Sequence, residues 1–191
     1  LRDNDYKGKI FPINPKREEV LGVKCYKSLS PIGEPLDLAI IIIGRNLVLS
    51  SLEECVAQKV KGALIITSGF AEADEEGKRL ERLIKQFAVE KDFPIWGPNC
   101  AGFANFRDNV MATLLREEGR ERLPGRAGLV SQSGALMMSL LGVARDKGLG
   151  LNYALSTGNE VDLEATDFIE YMLEDPSNKV IAAFVEGFKD V

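Results

Sequence analysis

The sequence contains no histidine, and its three cysteines, Cys25, Cys55 and Cys100, lie far apart. Without histidine, neither Ser-His-Asp nor Cys-His catalysis can be assembled from these 191 residues, and a zinc site is disfavoured. The cysteines form no CxxC pair, and odd, scattered thiols suit a reducing compartment. No run approaches roughly 18 uninterrupted apolar residues, and the opening LRDNDYKGK holds no apolar signal region, so the expectation is a cytoplasmic protein with no membrane partner. An excess of positive charge is missing too: 24 Lys and Arg face 29 Asp and Glu, a net charge of −5. That balance argues against nucleic acid as a partner while leaving room for a local basic pocket around a phosphorylated small molecule. A GxGxxG in the first βα turn is also lacking, and with it the standard dinucleotide fingerprint.

What is present is a core and a rhythm. Apolar residues make up 45% of the chain, enough for one ordinary domain or two small ones. Short β-type runs alternate with helical patterns almost throughout, the pattern of an α/β protein with parallel, doubly wound sheets. Strands are expected at Lys9–Ile13, Leu38–Ile43, Ala63–Thr67, Pro94–Trp96, Ala127–Val130, Tyr153–Leu155 and Val180–Val185. The run LAIIII is continuously apolar, as in a strand covered on both faces. Helices are expected at Asn46–Lys59, with Leu47, Leu52, Cys55 and Val56 on its inner face, at Asp74–Glu90 and at Gly134–Lys147. A fourth runs over Leu163–Leu173 behind an Asp162 cap. Phe103–Pro124, with its REEGRER cluster, has poor periodicity and reads as a linker between a first unit over residues 1–124 and a second over residues 125–191.

In open parallel sheets ligands bind beyond the carboxyl ends of the strands. Nearly every expected strand here delivers a turn residue and a polar group to that edge: Asn14-Pro15-Lys16, Gly44-Arg45-Asn46, Ser68-Gly69-Phe70, Gly97-Pro98-Asn99-Cys100, Ser131-Gln132-Ser133-Gly134, Ser156-Thr157-Gly158-Asn159 and Glu186-Gly187. Any one of these is an ordinary βα turn; together they mark a ligand edge. Ser133-Gly134 and Thr67-Ser68-Gly69 suit the close approach of phosphate to helix N–H groups, and Lys16 or Arg45 can add positive charge. SQSG is not a nucleophile elbow, because G-x-S-x-G is not satisfied and no base is at hand. An anion cradle needs only backbone N–H groups, a small cap and a helix.

The segments FPINPK, SGFAEADEEGKRLE, GPNCAGFAN, LVSQSGAL, STGNEVDLEATDFIEYMLEDP and VIAAFVEG, in this order, resemble the NDP-forming acyl-CoA synthetases, the group of ADP-forming acetyl-CoA synthetases and the succinyl-CoA synthetase alpha subunit. The resemblance covers Tyr6 to Asp190. It implies a Rossmann-like CoA-binding domain followed by the start of a flavodoxin-like succinyl-CoA-ligase domain. It further implies reversible formation of acyl-CoA from acid, CoA and NTP, through acyl phosphate and phosphohistidine. Coenzyme A and phosphate would bind here, with ATP or ADP and Mg in a partner ATP-grasp domain or beta subunit, within an oligomer acting on a small carboxylic acid. By position, Asn14, Lys16, Thr67, Ser68, Gly69 and Phe70 match CoA-contacting loops. Asn99 and Cys100 match a turn near the reacting groups. Ser131, Ser133 and Gly134 match the helix start that holds phosphate or phosphohistidine. Glu186 matches the glutamate that orients the catalytic histidine; no metal ligand is implied in this part.

The same resemblance implies that the phosphorylated histidine lies after residue 191 and a glycine-rich CoA loop before Leu1, which reads the chain as part of a longer synthetase, inactive alone. The alternative is a non-catalytic, ligand-sensing module of a synthetase-like regulatory protein or protein acetyltransferase.

Overall fold

A computed structural model describes Leu1, residues 6–114 and residues 124–188. The amino-terminal stretch forms a two-residue-per-strand hairpin, β1 (Glu19–Val20) and β2 (Val23–Lys24), closed by Leu21 and Gly22, both at positive φ. Two consecutive left-handed residues are what a tight turn matched to strand twist requires. The expected strand at Lys9–Ile13 is not formed; Ile13 makes only an isolated bridge with Tyr26. Pro12 interrupts this run and offers no N–H to a ladder.

The first sheet is parallel, in the order β3 (Ala39–Ile41), β4 (Ala63–Ile65), β5 (Ile95–Trp96). The connections are α1 (Val48–Ala57) and α2 (Glu75–Lys91). The apolar run around β3 lies at the sheet's edge among the described residues, and Leu38, Ile40, Ile42 and Ile43 are exposed, against the expectation of two covered faces. In α1 the buried side is Val48, Leu52 and Cys55, whereas Leu47 is exposed. A 3-10 turn over Arg45–Leu47 starts the helix two residues late and rotates Leu47 outward. Asp74 caps α2, its carboxylate accepting from Gly77 N–H at 2.7 Å, with Glu75 and Glu76 in the positive first turn. The core between these layers holds Leu52, Ile65, Phe70, Ile84 and Ile95.

The second sheet has the order β10-β8-β9-β6-β7. Its parallel half is β8 (Pro124–Ser131), β9 (Leu151–Ser156) and β10 (Val180–Phe184). The stretch expected as linker instead supplies β6 (Gly102–Asn105) and β7 (Val110–Thr113), antiparallel to each other, with β6 antiparallel to β9. The sheet is therefore mixed, and the REEGRER cluster lies outside the described residues. Strand alternation divides the side chains. Leu129 and Ala154 join α3 (Gly134–Asp146) through Met137 and Leu141, while Val130, Tyr153 and Leu155 join α4 (Ala165–Glu174) through Met172. The start of α4 falls at Glu164, whose N–H donates to the Asp167 carboxylate at 2.7 Å; Asp162, expected as the cap, accepts from Ile95 N–H instead.

That last bond belongs to a seam between the units. Residues 159–163 run beside β5: Asn159 N–H donates to Pro98 O, Val161 N–H to Gly97 O and Leu163 N–H to Ile95 O, at 2.9, 3.0 and 3.1 Å. Val161 thereby enters the first core. Trp96 crosses the other way, donating from Nε1 to Ser156 O at 2.7 Å and packing on Phe103 and Phe168. Within the second unit, Asp175 accepts from Tyr153 Oη, Arg107 and Ser177 N–H. These donors hold its carboxyl well below the usual range, Ser177 leading, while burial and the same carboxylate push the Tyr153 hydroxyl up. No helix among the described residues is long and apolar enough to cross a membrane.

Candidate functional site

The carboxyl ends of β4, β5, β8 and β9 deliver four turns that are hydrogen-bonded to one another. After β4, Thr67 Oγ1 donates to Ile43 O at 2.9 Å and accepts from Ile43 N–H at 3.1 Å, closing the ends of neighbouring strands. Ser68 is exposed and Gly69 has φ +97. Arg45, a candidate phosphate charge in the sequence, is engaged inside the loop, binding Gly69 O and both oxygens of Asp74. Phe70 is wholly enclosed in the first core, so its ring serves packing and any ligand contact of this loop falls to its neighbours. Asn14 holds its own turn by accepting Lys16 N–H at 2.9 Å on Oδ1, and the Lys16 side chain is exposed.

Asn159 is the hub. It donates through Nδ2 to Glu72 at 2.6 Å and Glu81 at 2.7 Å, and accepts from Asn99 Nδ2 at 3.2 Å. Glu72 in turn accepts from Gly69 N–H and Phe70 N–H. Burial pushes the Glu72 carboxyl up, but the Asn159 amide and these main-chain donors outweigh it and hold it below its ordinary value. Asn99 adopts a left-handed backbone, φ 56, and its N–H donates to Thr67 O at 2.9 Å. Gly158 fits because only a hydrogen does: a Cβ there would lie 2.2 Å from Pro98 O. Cys100 is buried, its thiol directed at Ile65 O at 3.5 Å, and burial pushes it up to about 11. A thiol held protonated in this way is not a nucleophile at neutral pH.

The SQSG segment ends β8 and starts α3. Ser133 is the helix cap, accepting from Leu136 N–H at 3.3 Å; the buried Ser131 donates from Oγ to Ser133 O at 2.7 Å. The N–H groups of the first helical turn have no partner within the helix, and the dipole makes this end positive. Gly134 keeps the start of α3 close to its surroundings, since a Cβ would lie 2.8 Å from Ala101 Cβ and 3.3 Å from Ser156 Oγ. Ser156 itself is 0% exposed, and its Oγ is a buried side-chain polar atom without a hydrogen-bond partner among the described residues. Buried hydroxyls are normally satisfied, so this one fits an oxygen ligand held beside the start of α3.

Glu186 follows β10 on an exposed turn. Its N–H donates to Gln132 Oε1 at 2.5 Å. Gln132 also binds Glu160, a buried acid that nothing in the run NEVDLE sets apart from Asp162 or Glu164. The roles of Gln132, Ser156, Asn159 and Glu160 emerge only with tertiary contacts. The structure thus brings Thr67–Gly69, Asn99, Cys100, Ser131, Ser133, Gly134 and Glu186 to one edge, with Asn14 and Lys16 on a separate turn beside Tyr26.

Fold and edge together define a two-unit α/β protein whose polar turns converge at the carboxyl ends of β4, β5, β8 and β9. Residues 1–105 match the CoA binding domain family, and residues 124–191 match the succinyl-CoA ligase like flavodoxin domain. The chain belongs to the NDP-forming acyl-CoA synthetase family, as the corresponding alpha-subunit-like part. It is 39% identical to the ADP-forming acetate–CoA ligase of Methanocaldococcus jannaschii, covering 97% of this chain and 26% of that protein. It is also 39% identical to the alpha subunit of ADP-forming acetate–CoA ligase II of Pyrococcus furiosus, covering 96% of this chain and 39% of the subunit. A solved Korarchaeum cryptofilum acetyl-coenzyme A synthetase, in complex with phosphate and ADP, superposes with a TM-score of 0.92 at 32% identity, covering all of this chain and 40% of that one. The chain therefore spans well under half the length of these relatives.

Proposed function

We propose that this chain supplies the CoA and phosphate sites of an ADP-forming acyl-CoA synthetase, an enzyme that interconverts acid, CoA and ATP with acyl-CoA, ADP and phosphate. The observation that carries this reading is the Asn159 hub, which ties the Thr67–Glu72 loop, the Asn99 turn and the turn beside the α3 start into one network. The first loop and the Asn14–Lys16 turn receive the phosphates of CoA, whose thiol is the acyl acceptor. The first turn of α3, with Ser131, Ser133, Gly134 and Ser156 around it, receives phosphate, or the phosphoryl group of a histidine brought from outside these residues. Fixed N–H donors stabilise that charge without having to reorganise. Glu186 holds the far N–H of the same imidazole, fixing its tautomer. Asn99 and Cys100 shape the turn beside the reacting groups, Cys100 as a packed, protonated side chain.

An ATP-grasp domain or beta subunit would bring ATP or ADP with Mg, in an oligomer, and the substrate would be a small carboxylic acid. The ligase relatives favour this catalytic reading over a regulatory one. Calorimetry tests the cradle: phosphate should bind the protein, and Gly134→Ala, whose methyl crowds Ala101, should lower that affinity on the order of tenfold while helix content holds. Equal affinities in the two proteins would overturn it.

A further inference from the structure

We propose that Glu160 is a positioning residue for Glu186 and acts through the side chain of Gln132. Gln132 Oε1 accepts from Glu186 N–H and Gly187 N–H at 2.5 and 3.1 Å, and its Nε2 donates to Gly187 O at 2.8 Å and to Glu160 Oε2 at 2.7 Å. An amide can make these four bonds in one orientation only. Glu160 Oε2, an acceptor facing Nε2, holds that orientation together with the Glu186 and Gly187 N–H groups, which face Oε1. Glu160 is itself fixed: it is 4% exposed, and its Oε1 accepts from Thr157 Oγ1 at 2.6 Å and Ala165 N–H at 3.0 Å. Its backbone is left-handed, φ 54, an uncommon state for a residue other than glycine that persists only where the surroundings impose it. The chain of contacts runs from the start of α4 through a buried carboxyl group to the turn after β10. The consequence for chemistry rests on the reading of Glu186 as the carboxylate that faces the histidine.

The test is a swap in the full-length protein, followed by amide hydrogen exchange and by steady-state kinetics. In E160Q the amide oxygen stays on the Ala165 N–H, a fixed backbone donor, so Nε2 faces Gln132, which flips and turns its own Nε2 toward the Glu186 and Gly187 N–H groups. Exchange at those two amides should rise about tenfold or more. Displacing the turn should lower kcat on the order of 100-fold while KM for CoA holds. In the double variant E160Q/Q132E the carboxylate lies on the other side: it accepts from the residue at 160 and from both N–H groups, and only Gly187 O loses its donor. Protection and most of kcat should return. Gln132→Ala, which leaves Glu160 with Thr157 and Ala165, should repeat the loss without touching the buried side chain at 160, and circular dichroism checks that each variant is folded. Unchanged exchange in folded E160Q and Q132A, or a swap that restores nothing, overturns the proposal. Exchange that responds as expected with kcat unmoved supports the contact and overturns the reading of Glu186.

Discussion

Cys100 shows how little a residue's place in a motif says about its chemistry. Within GPNC it stands between the two units, yet the fold closes over the thiol and holds its proton up to about 11 against an ordinary 9.0. Between those values the unfolded chain has released a proton that the native state keeps, so this contribution to stability is intact below pH 9 and is lost as pH rises toward 11. Urea unfolding from pH 7 to 11 should show a decline that is smaller in Cys100→Ala by on the order of 2 kcal/mol. Equal declines would mean that the thiol is solvated in the fold. The sequence allowed both packing and chemistry for Cys100, because burial is a property of distant strands: its partner is Ile65 O. Ser133 is the opposite case. Its role as a helix cap needs only the residues that follow it, so the local sequence is enough to reveal it.

Among elements, those with local signals were recoverable and those held by distant pairing were not. The helices α2 and α3 follow their 3.6-residue stripes, and β4, β8 and β9 their apolar runs. The strands β6 and β7 carry GFAN and VMAT, runs too short and too rich in small residues to announce themselves. They exist because Phe103 pairs with Leu155 and Ala104 with Ala154, some fifty residues onward. The segment 159–163 is another such case: it reads as a loop after β9 but lines β5 and places Val161, 3% exposed, in the first core. Val161→Ala removes two buried carbons, and about 2 kcal/mol of stability should go with them, measured as a lower urea midpoint. An unchanged midpoint would show that the seam does not bear on the core.

The whole molecule is two sheets joined along that seam, with Trp96 reaching from the first sheet to Ser156 in the second. Because each unit contributes side chains to the other's packing, heat or urea should unfold them in one step. Trp96 is the sole tryptophan, so its fluorescence reports the seam. Its transition should coincide with loss of far-ultraviolet circular dichroism. Two separated transitions, with fluorescence changing first, would mean that the units fold independently. Joined in this way, the turns after β4 and β9 hold a fixed spacing, which the proposed site for CoA and phosphate needs.

By itself the sequence determined the α/β class, the alternation that sets most strands and helices, the small polar cap in SQSG, and the glycine-rich polar turns along one edge. Each of these rests on residues within a few positions of one another, where periodicity and backbone freedom act. Only the tertiary structure decided that the expected linker opens with a paired hairpin, that Cys100 is inert, and that Asn159 and Glu160 organise the polar turns. Those outcomes depend on which groups meet across tens of residues. An asparagine or a glutamate carries no mark of its partner until the chain has brought the two together.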